Sequence, residues 1–295
     1  MILSIKRSSF ALVFGILWGV AISVQAQTQT PQPTKVSSAP GYNFSPVNQY
    51  KLEQMAEYWN PILAYVSGKS GVPLNLRLGR TTAQTAASVL TGESDFAFTN
   101  QLFTPDRVKL GWHVFARRDL PPLKGQVVVG AESPIKTLAD LDGKTVSFPG
   151  PEAFMAYTVT VAQLSAKKIN VTPVYAGNLN AAISQMVAGR ADATGSNSQM
   201  VAEYASRENR KFRVLWSSPP YYDLALMASP RVPAAKVKAV AKAFVGMNKD
   251  PVGQQVLEAA ANAIQATTPH SFVASTEADY AAYRDFYRRA QATLH

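Results

Sequence analysis

Segments that favour strands alternate along this chain with segments that favour helices, and this order limits the possible folds more than any other feature. Alternating or continuous apolar residues predict strands at 42–45, 74–78, 95–99, 125–131, 145–148, 171–175, 191–195 and 211–217. Apolar residues at helical spacing predict helices at 50–67, 82–90, 153–166, 180–188, 234–247, 251–263 and 276–290. Strands that alternate with helices of this length are typical of parallel sheets, so we predict an α/β fold. Pro61 lies inside the first predicted helix and predicts a kink or a restart near Asn60.

A short phrase occurs twice, at 86–97 and again at 181–193. In each copy a helix ends at a glycine, Gly92 or Gly189, and an aspartate, Asp95 or Asp192, then leads into a strand. One copy alone indicates only a tight turn from helix to strand. Two copies predict two similar α/β lobes, with a ligand cleft near the carboxyl ends of their strands.

The N-terminus has the three parts of a secretory signal peptide. Lys6 and Arg7 precede an uncharged apolar run at 8–24, and Val24 and Ala26 are small residues at the positions that a signal peptidase requires. We predict a signal peptide at 1–26, cleaved after Ala26, followed by a polar, Pro-rich flexible leader at 27–41. An uncleaved membrane anchor is the alternative, because the run approaches the length of a membrane span. The expected location is the periplasm.

Composition excludes several kinds of chemistry. The chain has no cysteine, which excludes disulfides, thiolate metal sites and cysteine nucleophiles. The formal net charge is +10, but no long basic run occurs, and an exported protein is not expected to bind nucleic acid. The three histidines have no metal-ligand spacing, and no nucleophile elbow or phosphate-binding loop is present. We therefore expect no enzymatic activity, no cofactor and no metal.

Several motifs together resemble a known family. They are FSPVNQ at 44–49, WNP at 59–61, GESDFAF at 92–98, IKTLADLDGKTV at 135–146, AGRADA at 188–193 and SSPPY at 217–221. The chain resembles the periplasmic binding proteins of phosphate, phosphite and phosphonate ABC transporters over nearly all of 42–287. The resemblance implies a type II periplasmic binding protein fold, with lobe one at 42–124 plus 219–295 and lobe two at 125–218. It also implies a small-molecule solute, a membrane ABC permease or sensor protein as partner, and a monomer.

In phosphonate-binding relatives, the oxyanion lies at a helix N-terminus in lobe two, beside a Ser-Thr-Ser-like cluster. The corresponding segment here, 148–157, contains no serine or threonine, and Glu152 is expected in the first helical turn, where it would compete with an anion. A second family position, which usually carries a histidine, reads Gly-Asn-Leu-Asn at 177–180. The expected solute is therefore a phosphorus oxyanion or another small polar molecule.

Polar residues that follow predicted strands are the candidate ligand contacts, because strand ends meet at the cleft of such a fold. They are Asn48, Gln49, Thr99, Asn100, Gln101, Asn178, Asn180 and Asn197, joined by Glu152, Ala153, Phe154, Tyr221 and Tyr222. The alternative for each Asn or Gln is a turn or helix-capping role. Phe154 could form an apolar wall with the tyrosines or pack in the core.

The function that these observations favour is solute capture for an ABC importer, by closure of two lobes on the ligand. The same capture could serve a periplasmic receptor for a membrane sensor kinase. An enzyme on the same two-lobed scaffold is a weaker alternative, since a fold alone does not exclude it.

Overall fold

The computed structural model describes residues 41–293, with side chains described up to residue 290. The predicted signal peptide, its cleavage after Ala26 and the leader up to residue 40 lie outside the described residues. Within the described range, no helix is both long enough and apolar enough to cross a membrane.

The first of two sheets has six strands. They are β1 (Tyr42–Pro46), β2 (Leu74–Leu76), β3 (Phe96–Thr99), β4 (His113–Arg118), β10 (Ala225–Ala228) and β11 (Phe272–Ala274). Their order across the sheet is β11-β4-β10-β3-β1-β2. Strand β1 is parallel to β2 and β3, whereas β10 is antiparallel to β3 and β4.

The second sheet has five strands. They are β5 (Leu123–Gly130), β6 (Thr145–Phe148), β7 (Thr172–Tyr175), β8 (Ala193–Asn197) and β9 (Phe212–Tyr221). Their order is β7-β6-β8-β5-β9, with β6 parallel to β7 and β8, and β5 antiparallel to β8 and β9.

Both sheets are mixed, so the prediction of parallel sheets was wrong for part of each lobe. The antiparallel strands β5 and β10 are those that the chain forms directly after crossing from one sheet to the other. A helical crossover within one sheet makes successive strands parallel, but a chain that arrives from the other lobe can enter in either direction. The sequence reading also missed strands β4, β10 and β11.

Nine α-helices cover the two sheets in the described part of the chain. They are α1 (Leu52–Ser70), α2 (Thr82–Leu90), α3 (Pro105–Val108), α4 (Val159–Ala166), α5 (Leu179–Val187), α6 (Ser198–Arg207), α7 (Ala234–Gly246), α8 (Pro251–Ala263) and α9 (Ala281–Thr293). Helix α1 packs on α7 and α8, and its Trp59 ring lies 4.9 Å from the ring of Phe44 and 5.2 Å from that of Phe98.

Helix α1 continues without interruption through Pro61, so the predicted restart near Asn60 was wrong. Proline removes one backbone N–H and crowds the preceding turn, which disfavours a helix interior. Trp59 and Ile62, on either side of it, are almost fully buried in the same core. Their burial stabilises the helix by more than the proline costs, because each large apolar side chain contributes about 1.5 to 3 kcal/mol.

The repeated phrase has the same structural role in both sheets. Gly92 and Gly189 have φ angles of 76° and 70°, in the left-handed region. Asp95 Oδ2 accepts the backbone N–H of Asn43 in β1 at 2.8 Å, and Asp192 Oδ2 accepts that of Thr145 in β6 at 2.9 Å. Each aspartate therefore ties its own strand to a parallel neighbour. The lobes are confirmed, whereas their boundaries at 124/125 and 218/219 stay a prediction.

Replacement of Gly189 by alanine should lower the free energy of unfolding by about 1 to 2 kcal/mol, because a left-handed conformation costs a residue with a Cβ about that much. Nothing lies near the Cβ that the substitution adds, so the effect isolates backbone strain. Gly246→Ala, at the end of α7 with no positive φ, is the matched control and should be neutral or stabilising. Urea unfolding of both variants measures the difference, and equal stabilities would contradict it.

Candidate functional site

A small cavity of about 30 Å³ lies where the strand ends of the two sheets face each other. Its walls come from both lobes and from the second chain crossing. The lining residues are Val47, Gln49, Asn100, Gln101, Glu152, Ala153, Phe154, Met155, Ala156, Leu179, Asn197, Asp223 and Leu224. A space of this volume holds about one or two water molecules. Any larger solute therefore requires the lobes to separate.

The topology brings these residues together. Val47 and Gln49 follow β1 and Asn100 follows β3, two parallel strands that end at the same edge of the first sheet. Glu152 follows β6 and Asn197 ends β8, which are likewise parallel in the second sheet. Ligands of open α/β sheets bind at this carboxyl edge, between the loops that follow the strands.

The start of the lobe-two helix is pressed closely against its sheet. Phe154–Thr158 forms a π-helical turn that continues into α4. A Cβ atom on Gly195 of β8 would lie 2.2 Å from the Ala156 carbonyl oxygen, and one on Gly125 of β5 would lie 2.5 Å from that of Met155. Both positions therefore require glycine. Phe154, Met155 and Ala156 at the start of this helix line the cavity. The first backbone N–H groups of a helix have no partner within the helix.

Asp223 is the most buried carboxylate in the lining, with 1% of its surface exposed. Its Oδ2 atom accepts a hydrogen bond from Arg118 Nε at 2.6 Å, and its Oδ1 atom has no hydrogen-bond partner among the described residues. The guanidinium lies outside the lining. Among the described residues that line the cavity, two carry carboxylates, four carry amides and none is lysine or arginine.

Glu152 lies before the helix rather than in its first turn, which corrects the prediction from sequence. The helical turn begins at Phe154 with Ala153 as its N-cap. The Glu152 carboxylate instead pairs across the cleft with Arg107 of α3 at 3.0 Å, and its backbone oxygen lies 3.3 Å from Gln101 Nε2. The Glu152 carboxylate is therefore paired with Arg107 while it lines the cavity.

An aromatic cluster joins the same segment to the C-terminal helix. The Phe154 ring lies 4.3 Å from that of Tyr283, 5.2 Å from that of Phe286 and 5.4 Å from that of Tyr287, all on α9. Tyr221 contacts the same ring at 5.0 Å. Burial raises the pKa of the Tyr283 hydroxyl well above its ordinary value, so this hydroxyl stays protonated. Phe154 therefore both lines the cavity and packs between the lobes.

The structure brings seven of the thirteen predicted residues to the cavity: Gln49, Asn100, Gln101, Glu152, Ala153, Phe154 and Asn197. Their contact with a ligand stays a prediction.

The other six predicted residues lie beside the cavity lining. Asn48 bridges Gly79 and Thr85, Thr99 accepts from the backbone of Gln101, Asn178 caps α5, and Asn180 accepts from Arg207. Tyr221 belongs to the aromatic cluster, and Tyr222 lies under the Arg117 guanidinium at 4.3 Å.

Sequence reasoning left several lining residues out of the candidate set. Asp223 was not selected, because its burial against Arg118 has no local signal in the sequence. Met155 and Ala156 contribute backbone, which any residue could supply. The glycines at 125 and 195 were the available signal, since a glycine inside a strand often marks a close backbone approach.

Two mixed α/β sheets joined by two chain crossings, with a polar cavity between their strand ends, define the fold of a type II periplasmic binding protein. The family of periplasmic substrate-binding proteins of phosphonate ABC transporters matches residues 44–280, and the chain belongs to this family.

Solved structures share the fold. A binding protein component of an ABC phosphonate transporter from Pseudomonas aeruginosa is similar with a TM-score of 0.73 at 14% identity, covering 87% of this chain and 89% of that one. PhnD1 from Prochlorococcus marinus in complex with methylphosphonate gives a TM-score of 0.67 at 14% identity, covering 85% and 98%. The GluR0 ligand-binding core from Nostoc punctiforme, in complex with glutamate, gives 0.50 at 14% identity, covering 74% and 97%. No curated protein sequence matches this chain.

Membership confirms the predicted resemblance, fold class and function: the chain is a substrate-binding protein of the phosphonate ABC transporter family, which is a family of binding proteins rather than enzymes. The family is periplasmic, in agreement with the expected location. Among the described residues, no group of three or more His, Asp or Glu side chains could hold a metal ion.

Gly195→Ala should displace the Phe154–Thr158 turn, because the added methyl group overlaps a backbone oxygen and the Phe148 ring. We expect a loss of about 1 to 3 kcal/mol in the free energy of unfolding, as for other overpacked interiors. Gly130→Ala, in β5 with open space around its Cβ, is the control. If urea unfolding gave the two variants the same stability, the close packing of this segment would be refuted.

Proposed function

We propose that the cavity between the lobes captures a small phosphonate that also carries an ammonium group, and that the closed protein delivers it to a membrane permease. The observation that carries this proposal is the unpartnered Oδ1 atom of Asp223 in a wall that also contains the start of a helix. The carboxylate suits a cationic group of the solute, and the helix start suits an anionic group.

The helix start suits the phosphonate end. Free backbone N–H groups and the positive end of the helix dipole stabilise an anion there without any serine, threonine or histidine. The backbone at 154–156 supplies these donors whatever its side chains are, so loss of the Ser-Thr-Ser-like cluster leaves this part of the site in place. The side-chain amides of Gln49, Asn100 and Asn197 add neutral donors around it.

The Asp223 carboxylate suits the ammonium end. It is held in place by Arg118 and has one acceptor atom left over. A buried acceptor without a partner costs free energy, and a hydrogen bond from a charged donor contributes about 1.5 to 3 kcal/mol. An alkylphosphonate without an ammonium group would leave this atom unpaired.

We further infer that the seven lining residues selected from the sequence contact the solute directly, whereas Asn48, Thr99, Asn178 and Asn180 hold the surrounding loops in place. Tyr221 and Tyr222 support the aromatic wall. The methylphosphonate bound by the Prochlorococcus marinus relative supports the phosphonate part of the proposal.

Two isosteric ligands test the ammonium group without altering the protein. Calorimetric titration of residues 27–295 should show that 2-aminoethylphosphonate binds roughly 10- to 100-fold more tightly than propylphosphonate, in which a methyl group replaces the ammonium group. At 100 times the dissociation constant, 2-aminoethylphosphonate should also stabilise the protein by about 2.7 kcal/mol. Equal or tighter binding of propylphosphonate would refute the role of Asp223. Absence of binding by every phosphonate, with binding of another organic solute, would refute the proposed cargo.

A further inference from the structure

A second polar cluster lies outside the cavity lining and connects the lobes. It consists of Tyr50, Gln199, Glu203 and His270, and we call it the Glu203 cluster. Tyr50, Glu203 and His270 are 3%, 7% and 4% exposed, so these polar groups are almost completely removed from water. The capture of a solute, as proposed above, does not use any of them.

The members of the Glu203 cluster come from opposite lobes. Tyr50 follows β1, and His270 precedes β11, so both belong to the first sheet and its loops. Gln199 and Glu203 lie one turn apart on α6, which follows β8 of the second sheet. Every contact between these two pairs therefore crosses the cleft.

The contacts converge on the Glu203 carboxylate. Its Oε2 atom accepts a hydrogen bond from the Tyr50 hydroxyl at 2.8 Å, and its Oε1 atom lies 3.6 Å from His270 Nε2. Gln199 Nε2 donates to the same Oε1 atom at 2.9 Å and holds the carboxylate in position. On the far side of the ring, His270 Nδ1 lies 3.3 Å from Arg118 Nη1.

The carboxylate is charged in this buried position. Burial by itself raises the pKa of Glu203, but contacts from His270, Gln199 and Tyr50 outweigh burial and lower the pKa below its ordinary value. A buried carboxylate depends on its partners, because an unpaired charge away from water is strongly unfavourable. Tyr50 and His270 are partners only while the lobes are together, whereas Gln199 moves with Glu203.

We propose that Glu203 is a latch that holds the lobes closed through Tyr50 and His270 and thereby sets the fraction of closed protein from outside the ligand cavity. Its effect on ligand affinity rests on the proposed function, whereas its effect on closure does not. Glu203 is a positioning residue, since it does not line the cavity.

Pulsed electron–electron double resonance between two spin labels on the ligand-free protein tests the latch directly. The chain contains no cysteine, so Glu57→Cys on α1 and Lys167→Cys after α4 introduce two unique labelling sites, both exposed and in different lobes. We expect Glu203→Gln and Tyr50→Phe to shift the distance distribution between the labels towards longer values. Glu208→Gln is the matched control, because Glu208 follows the same helix, is exposed and pairs with Arg207.

Tyr50→Phe removes a single hydroxyl group and preserves the ring, so it keeps the test decisive if Glu203→Gln fails to fold. Circular dichroism before labelling identifies such a failure. Distance distributions of Tyr50→Phe and Glu208→Gln that both coincide with that of the parent protein would overturn the proposal.

Affinity provides the second measurement. Because the latched cavity of about 30 Å³ is too small for 2-aminoethylphosphonate, only unlatched protein admits this solute. A latch variant should therefore lower the apparent dissociation constant by the factor by which it raises the open fraction. An unchanged dissociation constant despite a longer distance would overturn the link between latch and affinity. A longer distance in a protein that binds no phosphonate would refute the proposed function and leave the latch supported.

Discussion

The buried ion pair between Arg118 and Asp223 is the interaction on which the arrangement of the two lobes depends. Arg118 ends β4, directly before the chain first crosses to the second sheet, and Asp223 lies in the crossing back, between β9 and β10. Both residues are 1% exposed, and Nε and Oδ2 are 2.6 Å apart. Burial acts to lower the pKa of Arg118, but Asp223 outweighs burial and raises that pKa, so the guanidinium is charged. Removal of one partner from such a pair costs about 3 to 5 kcal/mol.

The ion pair also links the ligand cavity to the Glu203 cluster. Asp223 lines the cavity, and Arg118 Nη1 lies 3.3 Å from His270 Nδ1. The two chain crossings, the cavity and the Glu203 cluster all contact these two side chains. A solute that binds to Asp223 therefore contacts the group that connects both lobes.

Closure rests on contacts of two kinds. Phe154 buries its ring against α9, and this apolar contact has no direction and no dependence on charge. The Glu152–Arg107 pair and the Glu203 cluster are directional and form at one separation of the lobes. The apolar contacts supply much of the attraction, and the polar ones select the closed geometry. When both the apolar and the polar contacts form, a cavity of about 30 Å³ remains between the lobes.

The sequence by itself determined the alternation of strands and helices, the two-lobed class and the loops that reach the cavity. These properties follow from local apolar periodicity, from left-handed glycines such as Gly92 and Gly189, and from aspartates that tie one strand to the next. Only the tertiary structure decided the direction of β5 and β10, the pairing of Glu152 with Arg107, and the meeting of Tyr50, Glu203 and His270. Partners such as Tyr50 and Glu203 are 153 positions apart and carry no local pattern, because burial of a charged or polar group depends on what the rest of the chain packs around it.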